Sequence, residues 1–87
     1  MDDQAVFAVF DSKVNAYMRP WFAPNESVAL RAFRKAATTA DHDFCVFAGD
    51  FTLFRIGTWD AHSGIIEMLD VHFNLGTALQ VQNLKDE

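Results

Sequence analysis

The residues in this chain with the right types for metal or nucleophile chemistry are few. They are His42, Cys45, His62, His72 and a scatter of carboxylates. His42 and Cys45 form one isolated pair, and the two other histidines match no zinc-ligand spacing. A cysteine–histidine nucleophile would need a distant histidine brought in by the fold, and nothing local signals one. Asp41, Asp43 and Asp60 read as turn and capping residues. No glycine-rich loop of the phosphate-cradling kind is present. The expectation is a protein that is not an enzyme and needs no cofactor and no metal.

The basic residues have a more suggestive spacing. Arg31, Arg34 and Lys35 stand at i, i+3 and i+4, which gathers them on one side of a helix. Arg19 and Lys13 precede them, and Arg55 lies mid-strand further on. Such a face suits phosphate contact. The competing reading is a solvated helix face paired with the acidic half of the chain. Tyr17, Trp21, Phe54 and Trp59 are the rings that could stack on bases beside it, against the commoner role of filling a core. Trp21 is the one expected to stack, because it sits in a loop next to Arg19. Arg55 is expected either to contact a phosphate or to pair with an acid such as Glu67 across a hairpin.

These residues need elements to hold them. Pro24-Asn25 starts the main helix, with Asn25 as N-cap and Glu26 in the first turn. On a helical wheel Val28, Ala29, Ala32, Phe33, Ala36, Ala37 and Ala40 form one face, with Leu30 at its margin. Thr38, Thr39 and Asp41 end the helix. Residues 5–10, AVFAVF, form an apolar run suited to a central strand covered on both faces, although a buried helix segment has the same pattern. Residues 11–23 are a connection in which Trp21 and Phe22 fold inward on the core edge. Residues 41–49 read as a loop whose apolar residues plug the core. Residues 51–59 and 65–69 form a hairpin joined by five residues. Gly57 marks a bulge or a close backbone approach, with the helix as the candidate neighbour. Residues 74–81 are expected to hold a short helix capped by Asn74.

The fold class that follows is α+β: a small, mostly antiparallel sheet of three to four strands with one main amphipathic helix packed on it, in β-α-β-β order. Eighty-seven residues make a single domain, 1–87, with residues 1–3 and 83–87 expected to fray. Nine Phe, two Trp and one Tyr make a packed core possible in so short a chain. A homodimer would bury more, since a domain of this size buries only about two-thirds of its unfolded surface.

One cysteine excludes an internal disulfide and suits a reducing compartment. No signal peptide and no apolar run near the ~20 residues of a membrane span are visible. A cytoplasmic protein that does not engage a membrane is expected. The net charge is −5, unevenly spread. Residues 4–40 carry +3, whereas residues 41–87 carry −6. Such a balance disfavours indiscriminate nucleic-acid binding and still allows a local basic patch.

Two segments, residues 9–36 and 49–66, carry a family resemblance. The matching pieces are Phe10-Asp11-Ser12-Lys13, Tyr17, Pro20-Trp21-Phe22, Ala29-Leu30-Arg31-Ala32-Phe33, and the run from Asp50 through Asp60 with Ser63-Gly64. In this order they resemble the small nonstructural protein of gokushovirus-type microviruses, which are tailless phages with circular single-stranded DNA (Microviridae). The family commonly has a Pro-Glu-Asp turn before the hairpin where this chain has Ala48-Gly49-Asp50, and the tail after Leu69 matches weakly. The resemblance implies a bacteriophage protein in the host bacterial cytoplasm that binds DNA during viral DNA replication or packaging. It assigns no binding residue.

Combined with the basic helix face, it leads to single-stranded DNA as the expected partner, contacted by Arg31, Arg34, Lys35, Arg19, Lys13, Arg55 and Trp21. The alternative is a protein–protein interaction module acting on a viral or host replication protein without touching DNA. The acidic half of the chain favours that class.

Overall fold

The computed structural model describes residues 3–84. Strand β1 (Gln4–Asp11) forms the middle of the sheet. Its five central residues, Ala5 to Val9, are all buried, as a run with Val and Phe on both faces requires. One long edge of β1 pairs with two short strands, β2 (Ala16–Tyr17) and β3 (Trp21–Ala23). The other edge pairs with β4 (Phe51–Trp59), which pairs in turn with β5 (Ile66–Thr77). Every pairing is antiparallel, in the order β2-β1-β4-β5 with β3 also on β1. The expected α+β class therefore stands, with five strands instead of three or four. The extra ones are β2 and β3, too short to show a period. Asn15, at φ 56°, turns the chain between β1 and β2 in the left-handed region that Asn tolerates.

The helices all lie on one face. α1 (Glu26–Ala37) starts where Asn25 Oδ1 accepts from the Val28 backbone N–H at 3.0 Å. It ends at Thr38, whose hydroxyl donates back to the Arg34 carbonyl. Its buried stripe is Ala29, Phe33 and Ala37, flanked by Leu30. Val28 and Ala32, expected on that stripe, are exposed. The stripe is thus rotated toward Glu26, Leu30 and Arg34, because a second helix packs on that side. This is α3 (Ala78–Gln82), closed by a capping box between Thr77 and Gln80. Gln82 Nε2 donates to the Ala37 carbonyl at 2.7 Å and to the Cys45 carbonyl at 3.3 Å. One side chain thereby ties the last turn of α1 to the segment that follows it.

That segment is not the expected loop. It holds a helical turn, α2 (Asp43–Val46), and a 3-10 turn (Ala48–Asp50). His42 Nδ1 accepts from the Phe44 N–H and so acts as a cap. The plugging role is real: Phe44 stacks between Phe33 and Phe51, at ring centroid distances of 5.4 and 4.6 Å. Near the C-terminus the expected helix begins later than the sequence suggests. β5 runs through residue 77, and Thr77, not Asn74, caps α3. Of the residues expected to fray, 1–2 and 85–87 lie outside the described ones.

Three register shifts shape the sheet, one of them at Leu75 of β5, which is skipped between the pairs Phe54–Asn74 and Leu53–Gly76; the other two meet at Ile56. Ile56 of β4 is skipped in the register with β1, and residues 69–72 of β5 stand opposite that same position. Gly57 sits beside both. The close approach there comes from β5 and not from a helix: a Cβ on Gly57 would lie 2.7 Å from the Glu67 carbonyl oxygen. Gly57→Ala is therefore expected to lower stability by about 1–3 kcal/mol, measured by urea unfolding. An unchanged midpoint would show that the two strands can part there without cost.

The hairpin loop between β4 and β5 is organised by Asp60. Its carboxylate accepts from the His62 N–H and the Ser63 hydroxyl, which hold its pKa below the usual carboxylate value. Gly64, at φ 75°, completes the turn. No helix among the described residues is long and apolar enough to cross a membrane.

Candidate nucleic-acid interface

The basic residues singled out in the sequence do not converge on one surface. With 100° per residue, the centre of the buried stripe lies near Glu26 and Phe33. Arg31 and Lys35 point away from it and are exposed. Arg34 lies at the margin and turns toward α3. Its Nε donates to the Val81 carbonyl at 3.3 Å and one terminal nitrogen to the Leu84 carbonyl at 2.8 Å. A guanidinium held on the last carbonyls of a helix complements the negative end of that helix. Arg34→Ala should cost about 1–3 kcal/mol of stability, as loss of charged hydrogen bonds does. The check is thermal unfolding beside Arg31→Ala, which is expected to change it little.

The remaining candidates are dispersed. Arg55 projects on the helix side of the sheet, where it meets Glu26 at 3.5 Å and donates to the Thr58 hydroxyl at 3.0 Å. Glu67, the acid expected opposite it, pairs with Thr58 instead. Lys13 lines a notch with Asp11, Asp43 and Asp50, an acidic setting for a phosphate contact. Trp21 is directed inward: it pairs with Phe7 and packs on it, with ring centroids 6.1 Å apart. Arg19 is exposed in the connection that joins Tyr17 to Phe22.

What the sheet does bring together is a set of rings on the face that carries no helix among the described residues. Val6, Ala8 and Phe10 of β1 point to this side, away from Phe7 and Val9. Phe10 pairs with Tyr17, Val6 with Phe22, and Ala8 with Phe54, so all three partners share the face. Tyr17 stands edge-on to Phe10 at 5.0 Å, to Phe54 at 5.8 Å and to His72 at 5.2 Å. Its hydroxyl and His72 Nδ1 are hydrogen-bonded at 2.7 Å, which fixes the rings across β2, β1, β4 and β5. A second group follows along the strands. Phe22 and Trp59 stand 6.1 Å apart and, with Gln4, line an open notch of about 420 Å³.

Beneath the rings lie Val6, Ala8 and Ile56, buried by them and not by a second layer. The molecule's shortest dimension, 20 Å, is that of one sheet and one helix layer. Tyr17 and Phe22 remain 43 % and 48 % exposed. A face of this kind can hold flat unsaturated rings against its own.

A family model described as "Phage ORF5 protein" matches residues 4–81, from the first residue of β1 to the middle of α3. The chain belongs to the phage ORF5 protein family. The matched span takes in the whole sheet, α1, and the ring-bearing face of this ORF5-family chain. No curated protein and no solved structure matches it.

Of the face-forming rings, Tyr17, Phe54 and Trp59 are recognisable in the sequence as stacking candidates. Phe10, Phe22 and His72 are not. The signal for Phe10 is the alternation within β1, which a both-faces-apolar strand hides. For Phe22 it is the neighbouring Trp21: in an extended pair the two must point to opposite faces.

Proposed function

We propose that this phage protein binds single-stranded DNA across the helix-free face of its sheet, in the replication or packaging of a microvirus-type genome. The observation that carries the reading is the row of partly exposed rings, Tyr17, Phe22 and Trp59 among them, on a face that no helix covers. Aromatic platforms hold unpaired bases by stacking, worth about 1–3 kcal/mol per base and tolerant of sequence. Membership of a phage family and the resemblance to the nonstructural proteins of single-stranded DNA phages support the same partner.

In this mechanism the bases provide most of the affinity. Arg19, between Tyr17 and Phe22 in the chain, supplies phosphate contact at the rim. Arg31 and Lys35 lie on the far side of the molecule, one helix layer away, and do not take part. With the phosphate contact confined to Arg19, log K should fall with log salt at a slope of only about −0.7, the value of one contact on a single strand.

Intrinsic fluorescence tests the reading. In a Trp21→Phe protein the signal comes from Trp59 alone, and saturable quenching by oligothymidylate at low salt is expected. No quenching and no binding at low salt would overturn it.

A further inference from the structure

We infer, resting on the DNA reading of the ring-bearing face, that the notch beside Gln4 takes one unpaired nucleobase and that the Gln4 carboxamide holds the Watson–Crick edge of that base. Gln4 opens β1 opposite Trp59, and Val6, two residues on, lies opposite Phe22. Residues two apart in a strand share a face, so the Gln4 side chain stands on the side of these rings. Among the described residues, Gln4, Phe22 and Trp59 line the notch of about 420 Å³. Of the three, only Gln4 has a side chain that both donates and accepts. It is half-buried, and its carboxamide makes no hydrogen bond with another described residue.

The two rings meet at an interplanar angle of 66°, with centroids 6.1 Å apart. They form a corner, not a slot. A base laid flat on one wall stacks on that ring and meets the other edge-on, an arrangement that aromatic rings favour. Once the base enters the corner, its polar edge leaves water and must find partners there. Gln4 is the lining residue that can supply them.

A carboxamide sets one donor beside one acceptor. The Watson–Crick edge of every base offers a matching pair: N3–H beside O4 in thymine, N4–H beside N3 in cytosine, N6–H beside N1 in adenine, and N1–H beside O6 in guanine. Turning the amide over by half a rotation fits it to each. Gln4 therefore does not tell one base from another. It tells an unpaired base from a paired one, because in a duplex those same atoms are engaged. A paired adenine still offers N7 and N6–H to glutamine in the major groove, but its faces are stacked and cannot enter the corner. Stacking supplies affinity without regard to sequence, and one side chain of β1 adds the demand for a free edge.

Oligothymidylate, and the same strand methylated at every N3, test this when titrated against the full chain. The methyl group removes the donor and blocks the edge while leaving the ring face. The wild type should bind the methylated strand about 5- to 150-fold more weakly, the range for one bidentate base contact. Gln4→Leu keeps much of the side-chain bulk and should bind both strands alike. Gln4→Glu replaces the amide by two acceptors. Guanine alone offers two adjacent donors on this edge, N1–H and N2–H. That variant should therefore prefer an octathymidylate with one central guanine over the all-thymine strand by at least about fivefold. The wild type should bind those two strands within about twofold. A purely structural role of Gln4 would move none of these ratios. A wild type that binds oligothymidylate and its methylated form equally overturns the inference and leaves the ring face as the DNA surface. A wild type that binds neither strand overturns both. Discrimination retained by Gln4→Leu, or a Gln4→Glu protein with no preference for guanine, overturns the assignment of Gln4.

Discussion

Phe33→Ala is expected to remove about 3–5 kcal/mol of stability, enough to unfold much of the protein at 37 °C. The ring is 2 % exposed and meets Phe44, which in turn meets Phe51. Through Phe44 it joins three pieces of chain: the middle of α1, the turn α2, and the start of β4. The neighbours cannot collapse into the space, because Ala29 and Ala37 on either side already hold the helix against the sheet. A large-to-small change at such a site loses both transfer energy and the contacts around the cavity. Whole domains are stable by only about 5–15 kcal/mol, and a chain this short falls toward the lower end. Urea unfolding followed by circular dichroism reads the loss directly. A shift of less than about 1 kcal/mol would mean that Phe33 is not an anchor of the core.

The second large effect concerns binding. Phe22→Ala and Trp59→Ala should each weaken single-stranded DNA binding roughly 5- to 150-fold, the range that follows from the stacking energy of one base. Both rings are partly exposed and face each other across the notch by Gln4, so each can be removed without emptying the helix-side core. Arg31→Glu with Lys35→Glu should change binding by less than about threefold at moderate salt, where charges a layer away are screened. The two sets of variants therefore separate the two surfaces that a DNA strand could use. Arg34 is unsuitable for that comparison, because its bonds to the Val81 and Leu84 carbonyls make it part of the α1–α3 joint.

Much of the frame is legible in the residues. β1 announces itself by an apolar run, α1 by its Asn25 cap and Ala/Phe33 stripe, and the β4–β5 hairpin by alternation and the Asp60–Gly64 turn chemistry. What stays hidden depends on partners remote in sequence. The rotation of the α1 stripe is set by α3, five residues held by a capping box that a 3.6-residue period cannot reveal. β2 and β3 are strands only because β1 offers them an edge. The side of the sheet on which a ring lies depends on bulges at Ile56 and at residues 69–72, each of which shifts the register. For this reason the basic residues, evident as a cluster on a wheel, disperse in space. The rings, scattered from Phe10 to His72 in the chain, assemble.

The ring-bearing face is the proposed DNA surface. The most direct test is a titration of fluorescent oligothymidylate with the wild type, with Phe22→Ala/Trp59→Ala, and with Arg31→Glu/Lys35→Glu, at low and moderate salt. The wild type is expected to bind with a shallow salt slope. The ring pair should bind at least about tenfold more weakly, and the charge pair should bind nearly as the wild type does. Loss of binding on reversing Arg31 and Lys35, with the ring pair unaffected, would contradict that assignment of the surface.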